Sequence, residues 1–172
     1  MGSAAHLVRR FVGSLRPGGP RAPEEAWARR QLLPAEQRLW ARMPGPDRRH
    51  AVGVARRVER ALGDEATRPV LAAALLHDVG KVESGLRTYG RVVATLAAKA
   101  AGADMARTWR RQRGFTRRVG LYLQHAELGG DLLELAGSDP LTVAWTRQHH
   151  LAPEAWTVPR PLADALKAAD DD

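Results

Sequence analysis

The residues in this chain best suited to chemistry are its histidines, at positions 6, 50, 77, 125, 149 and 150, and there is no cysteine to add a thiolate or a disulfide. Any metal must therefore sit among imidazoles and carboxylates, which narrows the candidates to harder or borderline ions. A single histidine on an apolar face is more often a satisfied core residue than a ligand. Five of the six, all but His6, fall in or at the ends of expected helices on faces that should turn inward, and two adjacent pairs stand out, His77-Asp78 and His149-His150. Neutral imidazoles and carboxylates drawn from several helices of a bundle form the ligand set of a hydrolytic or redox-active pair of first-row metals. Asp78 can bridge two ions, since each carboxylate oxygen has spare lone pairs. Lys81 lies one helical turn beyond that pair, where its ammonium can hold a phosphate oxygen.

These side chains need elements to position them, and the pattern is helical throughout. Alanine and leucine dominate the 44% apolar content while phenylalanine and tyrosine number two each, which favours helix over sheet. We expect an all-α fold: a single helical-bundle domain around a central buried helix. At 172 residues one compact domain is the working assumption. Residues 1–44 read as a basic N-terminal extension, with a Pro/Gly-rich stretch at 17–23 and one amphipathic helix over 24–43 carrying Trp27, Leu32, Leu33, Leu39 and Trp40. Residues 45–172 form the expected catalytic domain.

Within that domain Asp47 is a plausible N-cap for a helix whose apolar positions run Ala51, Val54, Ala55, Val58, Ala61 and Leu62, with His50 on or beside the stripe. A helix from about Thr67 to Val79 is apolar nearly all round, so it should be the central one and should deliver His77 and Asp78 into the interior. Further helices are expected over 88–101, 103–112 and 116–126, the last placing His125 close to its apolar face. Gly129-Gly130 should then break the chain before a short helix at 131–136. Asp139-Pro140 is a capped start for the helix that carries Trp145 and His149, and a last helix runs from 161 to about 170.

The order His50, Ala-Leu-Leu-His77-Asp78-Val-Gly-Lys81, His125, His149-His150 and Ala-Ala-Asp170 resembles the HD superfamily of metal-dependent phosphohydrolases, over roughly residues 45–172. The extra histidines are similar to its binuclear branches, the HD-GYP cyclic dinucleotide phosphodiesterases and the diadenosine-tetraphosphate hydrolases. The resemblance implies that His50, His77, Asp78 and Asp170 hold one divalent ion and His125, His149 and His150 a second, with Asp78 bridging and iron or manganese as the expected metals. Leu151-Ala-Pro-Glu-Ala-Trp156 follows His150 where the first branch has Gly-Tyr-Pro, so cyclic di-GMP specificity is not implied. Helical geometry supports Asp170 among the competing aspartates. It lies beside the stripe Leu162, Ala165, Leu166 and Ala169, whereas Asp164 and Asp171 point away.

The implied activity is hydrolysis of a nucleotide-type phosphodiester, phosphoanhydride or phosphomonoester by a metal-bridging hydroxide, with Asp78 and Lys81 catalytic and Lys81 orienting the phosphate. From Arg107 to Arg118 the chain reads RTWRRQRGFTRR, which is expected to form a rim or lid in which Arg110, Arg111 and Arg113 gather an anionic nucleotide. The net charge of +8 fits such a substrate, and the same segment suits weak contact with nucleic acid or an anionic membrane surface. The alternatives are a di-iron oxygenase with the same ligand set, or a non-catalytic nucleotide- or RNA-binding signalling module. No stretch has the length of a signal peptide's apolar region or of a membrane span, so a cytoplasmic location is expected.

Overall fold

Proline stands in the first turn of six of the eight described α-helices, and the architecture is all-α. The computed structural model describes residues 18–86, 90, 94 and 108–171. Along them run α1 (Ala22–Arg30), α2 (Pro34–Arg42), α3 (Gly45–Leu62) and α4 (Arg68–Leu76), then a 3₁₀ segment, Val79–Ser84. After it come α5 (Gly114–Leu123), α6 (His125–Leu135), α7 (Pro140–Gln148) and α8 (Arg160–Asp171). There is no strand among the described residues, and none of their helices is long and apolar enough to cross a membrane.

The central helix is α4. Val70, Leu71, Ala72, Ala73, Ala74, Leu75 and Leu76 are all buried, because α3 packs on one side of α4 and α7 on another. Its alanines keep the helix slim, so both neighbours approach closely and bury apolar area on nearly its whole circumference. On α3 the buried positions Ala51, Val52, Val54, Ala55 and Val58 form one stripe, and α8 packs against the same helix. The 3₁₀ segment after α4 is held between α5 and α6.

Several expected boundaries differ from those found. The single helix expected over 24–43 is two, α1 and α2, broken at residues 31–33. Pro34 opens α2 and drives Leu33 into an extended conformation (φ −62°, ψ 156°), while the Leu33 N–H donates to Glu36 Oε2 at 2.7 Å. Trp27, Leu32, Leu39, Trp40 and Met43 join the same core as α3 and α4, so residues 27–43 are integral to the bundle. Asp47 does not cap α3, which begins two residues earlier at Gly45 with Pro46 in its first turn. The helix expected from Thr67 to Val79 stops at Leu76. The one expected over 116–126 is divided at Gln124 between α5 and α6.

Gly129-Gly130 does not break the chain but lies inside α6. Close packing explains why glycine stands there. A Cβ on Gly129 would come 2.9 Å from Thr146 Cγ2 and 3.1 Å from the Gly80 backbone nitrogen, and one on Gly130 would come 2.5 Å from the Arg147 side chain. Most of the helices expected over 88–101 and 103–112 lies outside the described residues. Asp139 caps α7 as expected, accepting from Leu141 N at 2.8 Å.

One carboxylate ties the first three helices together. Glu25 Oε1 accepts from the indole of fully buried Trp40 (3.0 Å), from Arg29 (2.9 Å) and from Arg48 on α3 (3.2 Å). Removing it strips a buried N–H of its acceptor. Glu25→Ala should therefore lower the unfolding free energy by about 1–3 kcal/mol, as read from urea denaturation.

Candidate metal centre

Five imidazoles and two carboxylates meet where several helices end. His77 is the C-cap of α4 and His149 the C-cap of α7, while His125 follows the last turn of α5 and opens α6. The final carbonyls of a helix have no partner within it, and these histidines supply one. His77 Nδ1 donates to Ala74 O (3.0 Å), His125 Nδ1 to Tyr122 O (2.7 Å) and His149 Nδ1 to Thr146 O (2.9 Å), each to the carbonyl three residues upstream. The same bond recurring three times puts a proton on Nδ1 and turns Nε2 toward a common interior point, the arrangement by which outer-sphere bonds orient metal-binding histidines.

At that point the ligand atoms form two groups. Asp78, His125, His149 and His150 make one, and His50, His77 and Asp170 the other. Within each group the candidate ligand atoms lie within 4.8 Å of one another. Asp78 reaches both. Its Oδ1 is 3.3 Å from His125 Nε2 and 3.8 Å from His149 Nε2, and its Oδ2 is 3.5 Å from His77 Nε2. Asp170 Oδ1 stands 3.1 Å from His50 Nε2 and 3.5 Å from His77 Nε2. His150 Nε2 faces His125 Nε2 at 3.1 Å. His150 is exposed and His50 half-buried, so these two mark the solvent side, whereas His77, Asp78, His125, His149 and Asp170 are buried.

The donor set fits a cation. His77 Nε2 and His149 Nε2 are buried without a hydrogen-bond partner, a cost of about 1–3 kcal/mol for an ordinary buried polar group, and both face carboxylate oxygens. Ions with a taste for nitrogen and oxygen ligands would satisfy both nitrogens and both acids.

The acid–base state of the site follows from burial against charge. Burial pulls His77 down, but the carboxylates of Asp78 and Asp170 outweigh it and raise its pKa to about 8. His149 moves the other way, to about 2, through burial and the neighbouring charges of His77 and His150. His150 is exposed as a residue but its ring is partly enclosed against His125, and loss of solvent there together with the charge of His125 lowers it to about 4. Burial opposes ionisation of Asp78 and Asp170. Lys81 and His77 overcome it at Asp78, and His77 and the His50 hydrogen bond overcome it at Asp170, so both stay ionised. His149 and His150 are accordingly neutral near pH 7, as ligands must be, while His77 carries a proton that a metal must displace.

All seven residues expected to bind metal are gathered here. The rival aspartates are elsewhere: Asp164 pairs with Arg160 at 2.8 Å and Asp171 with Lys167 at 2.6 Å, both on the surface. Lys81 lies at the same site, with its ammonium on Asp78 Oδ2 and 6.0 Å from the centre of the Tyr122 ring. Burial opposes its charge, but Asp78 raises its pKa and keeps it cationic. Arg110, Arg111 and Arg113 are exposed, and Arg110 Nη1 bonds Gln124 Oε1 at 3.1 Å, beside His125. Arg107 lies outside the described residues. Of the two aromatics in that segment only Phe115 is exposed, whereas Trp109 packs against Leu86, Ala94 and Val119.

Gly80 and Gly129 escaped the sequence reading as parts of the site. A Cβ on Gly80 would stand 1.9 Å from the His125 carbonyl oxygen and 2.5 Å from Gly129 N. The backbone after Asp78 thus lies directly on the first turn of α6, which sets the distance between Asp78 and His125. The signal was present in the glycine two residues beyond Asp78, but its contact comes from a segment 45 residues later.

No family model matches the chain, and neither a curated protein nor a solved structure matches it.

Two outcomes follow from this geometry. Gly80→Ala should destabilise the protein by about 1–3 kcal/mol or more, because backbone on both sides must move, and should deplete bound metal, as measured by urea unfolding and elemental analysis. The raised pKa of His77 means that its contribution to stability is complete below its unfolded value of 6.5 and is lost as pH rises through about 8. The melting temperature of chelator-treated protein should therefore include a decline across that window. In the metal-loaded protein that component should be absent, because His77 has already given up the proton.

Proposed function

We propose that this protein is a binuclear metal-dependent phosphohydrolase acting on an anionic, nucleotide-type phosphoester or phosphoanhydride. The observation that carries this reading is Asp78, a buried carboxylate whose two oxygens face two separate groups of histidine nitrogens. His50, His77, Asp78 and Asp170 would hold one ion, and Asp78, His125, His149 and His150 the other, with iron or manganese suited to such ligands. Two bound divalent ions would supply an activated water at neutral pH and neutralise charge on the phosphoryl oxygens.

The chain's own groups do the rest. Lys81 is a buried-side cation already at the site, placed to exchange its contact with Asp78 for a substrate phosphate oxygen and to stabilise charge developing there. Its presence favours phosphate chemistry over the oxygen-activating alternative, because an ammonium binds a phosphate oxygen and offsets its charge. Arg110, which bonds Gln124 at the helix break that presents His125, would gather the anion together with the exposed Arg111 and Arg113 that follow it in sequence.

Protein purified without chelator should contain close to two iron or manganese ions per chain and hydrolyse an activated phosphodiester such as bis(p-nitrophenyl) phosphate. Asp78→Ala should lose both metal and activity while remaining helical by circular dichroism. A wild-type protein that takes up no metal would leave the non-catalytic binding module as the reading, and uptake of O₂ by the reduced iron form without phosphoester hydrolysis would favour the oxygenase. Exchanging Arg110, Arg111 and Arg113 together for glutamine should raise KM for a nucleotide substrate by about tenfold or more while leaving metal content unchanged. That scale corresponds to roughly 1.4 kcal/mol of lost binding.

A further inference from the structure

We infer that Arg57 is a positioning residue for the metal ligand Asp170, clamping the backbone of the last turn of α8 onto α3. The inference rests on the metal-centre reading above. Arg57 Nε and Nη2 both donate to the carbonyl oxygen of Ala169, at 2.9 and 2.7 Å. That carbonyl lies in the final turn of α8, where helix carbonyls have no partner within the helix. The next residue is Asp170, whose carboxylate meets His50.

His50 and Arg57 are seven residues apart on α3, two turns along the same face. One helix therefore grips the turn twice, at the Asp170 side chain through His50 and at the Ala169 backbone through Arg57. The turn needs such a grip. Asp170 and Asp171 place two carboxylates at the negative end of the α8 dipole, an unfavourable arrangement that a guanidinium at the same end offsets. Arginine suits this role better than lysine, because its rigid fork can direct two N–H groups at one oxygen. The neighbouring Arg56 has a different environment, stacked over Trp27 at 3.6 Å from the ring centre and paired with Glu59 at 2.7 Å. The adjacent arginines are thus divided between the N-terminal helices and the metal centre.

The test is manganese titration of full-length protein against a competing chelator, comparing wild type with Arg57→Gln and Arg57→Lys. The binding step that His50→Ala abolishes identifies the ion held by His50, His77 and Asp170. Arg57→Gln should weaken that step 10- to 100-fold, the scale set by loss of an outer-sphere partner, and leave the other step within about twofold. Arg57→Lys should weaken it less. Trypsin should cut metal-free Arg57→Gln after Lys167 faster than metal-free wild type, and manganese should slow that cut.

Unchanged affinity at the His50 step in both Arg57 variants overturns the proposal. So does equal weakening of both steps in parallel with a lowered melting temperature, which is what a merely structural role predicts. If Arg57→Gln does not fold, the graded loss in Arg57→Lys decides by the same criteria. A wild type that binds no manganese removes the metal-centre reading itself, and this inference with it; that failure is recognised because the wild type, not only the variant, is empty.

Discussion

Two carboxylates, Asp78 and Asp170, lie buried inside a helical bundle, and an ionised carboxylate in such a place must be surrounded by positive charge or hydrogen-bond donors. The arrangement of the bundle's interior answers that requirement. Lys81 sits on Asp78, His50 holds Asp170, and His77 stands at 3.5 Å from both acids with its pKa raised to about 8. His149, only slightly further from Asp78, stays neutral because burial and its histidine neighbours prevail. The interior therefore carries protonated and unprotonated imidazoles side by side, and the two unpartnered Nε2 atoms face the acids.

The second organising feature is that the site is assembled from helix ends. Helix faces in this protein are occupied by the apolar core, where α4 is buried by α3 and α7. The ends offer carbonyls without partners, and three histidines use their Nδ1 atoms to satisfy them. A bond that stabilises the helix terminus thereby also orients the imidazole. The same economy appears at α8, where the guanidinium of Arg57 satisfies the Ala169 carbonyl next to Asp170. Glycine makes the arrangement compact, since Gly80 lets the chain after Asp78 rest on the His125 carbonyl.

Outside the centre, charge is distributed unevenly. Arg147 is bound by Asp131 and Glu134, Arg42 by Glu83, and Arg160 by Asp164. Arg110, Arg111, Arg113 and Arg117 are exposed and make no ion pair with a carboxylate among the described residues. An unneutralised basic surface that reaches Gln124, next to His125, through Arg110 is suited to attracting an anion, an effect that salt will screen.

Much of this was legible in the sequence because it depends on local pattern. Alanine- and leucine-rich stripes at helical spacing determine an all-α fold, the run from Val70 to Leu76 determines which helix is central, and the stripe of α8 turns Asp170 rather than Asp164 inward. Histidines on inward faces indicated a common cluster. Tertiary structure alone decided what depends on residues far apart meeting. It gave both parts of 24–43 to the core, kept Gly129-Gly130 helical because Thr146 and Arg147 press against them, and withdrew Trp109 into an apolar cluster. It also brought Arg57 to Ala169 across 112 residues of sequence. Periodicity tells which side of a helix is apolar. Which neighbour presses on that side, and how closely, is a property of the packed whole.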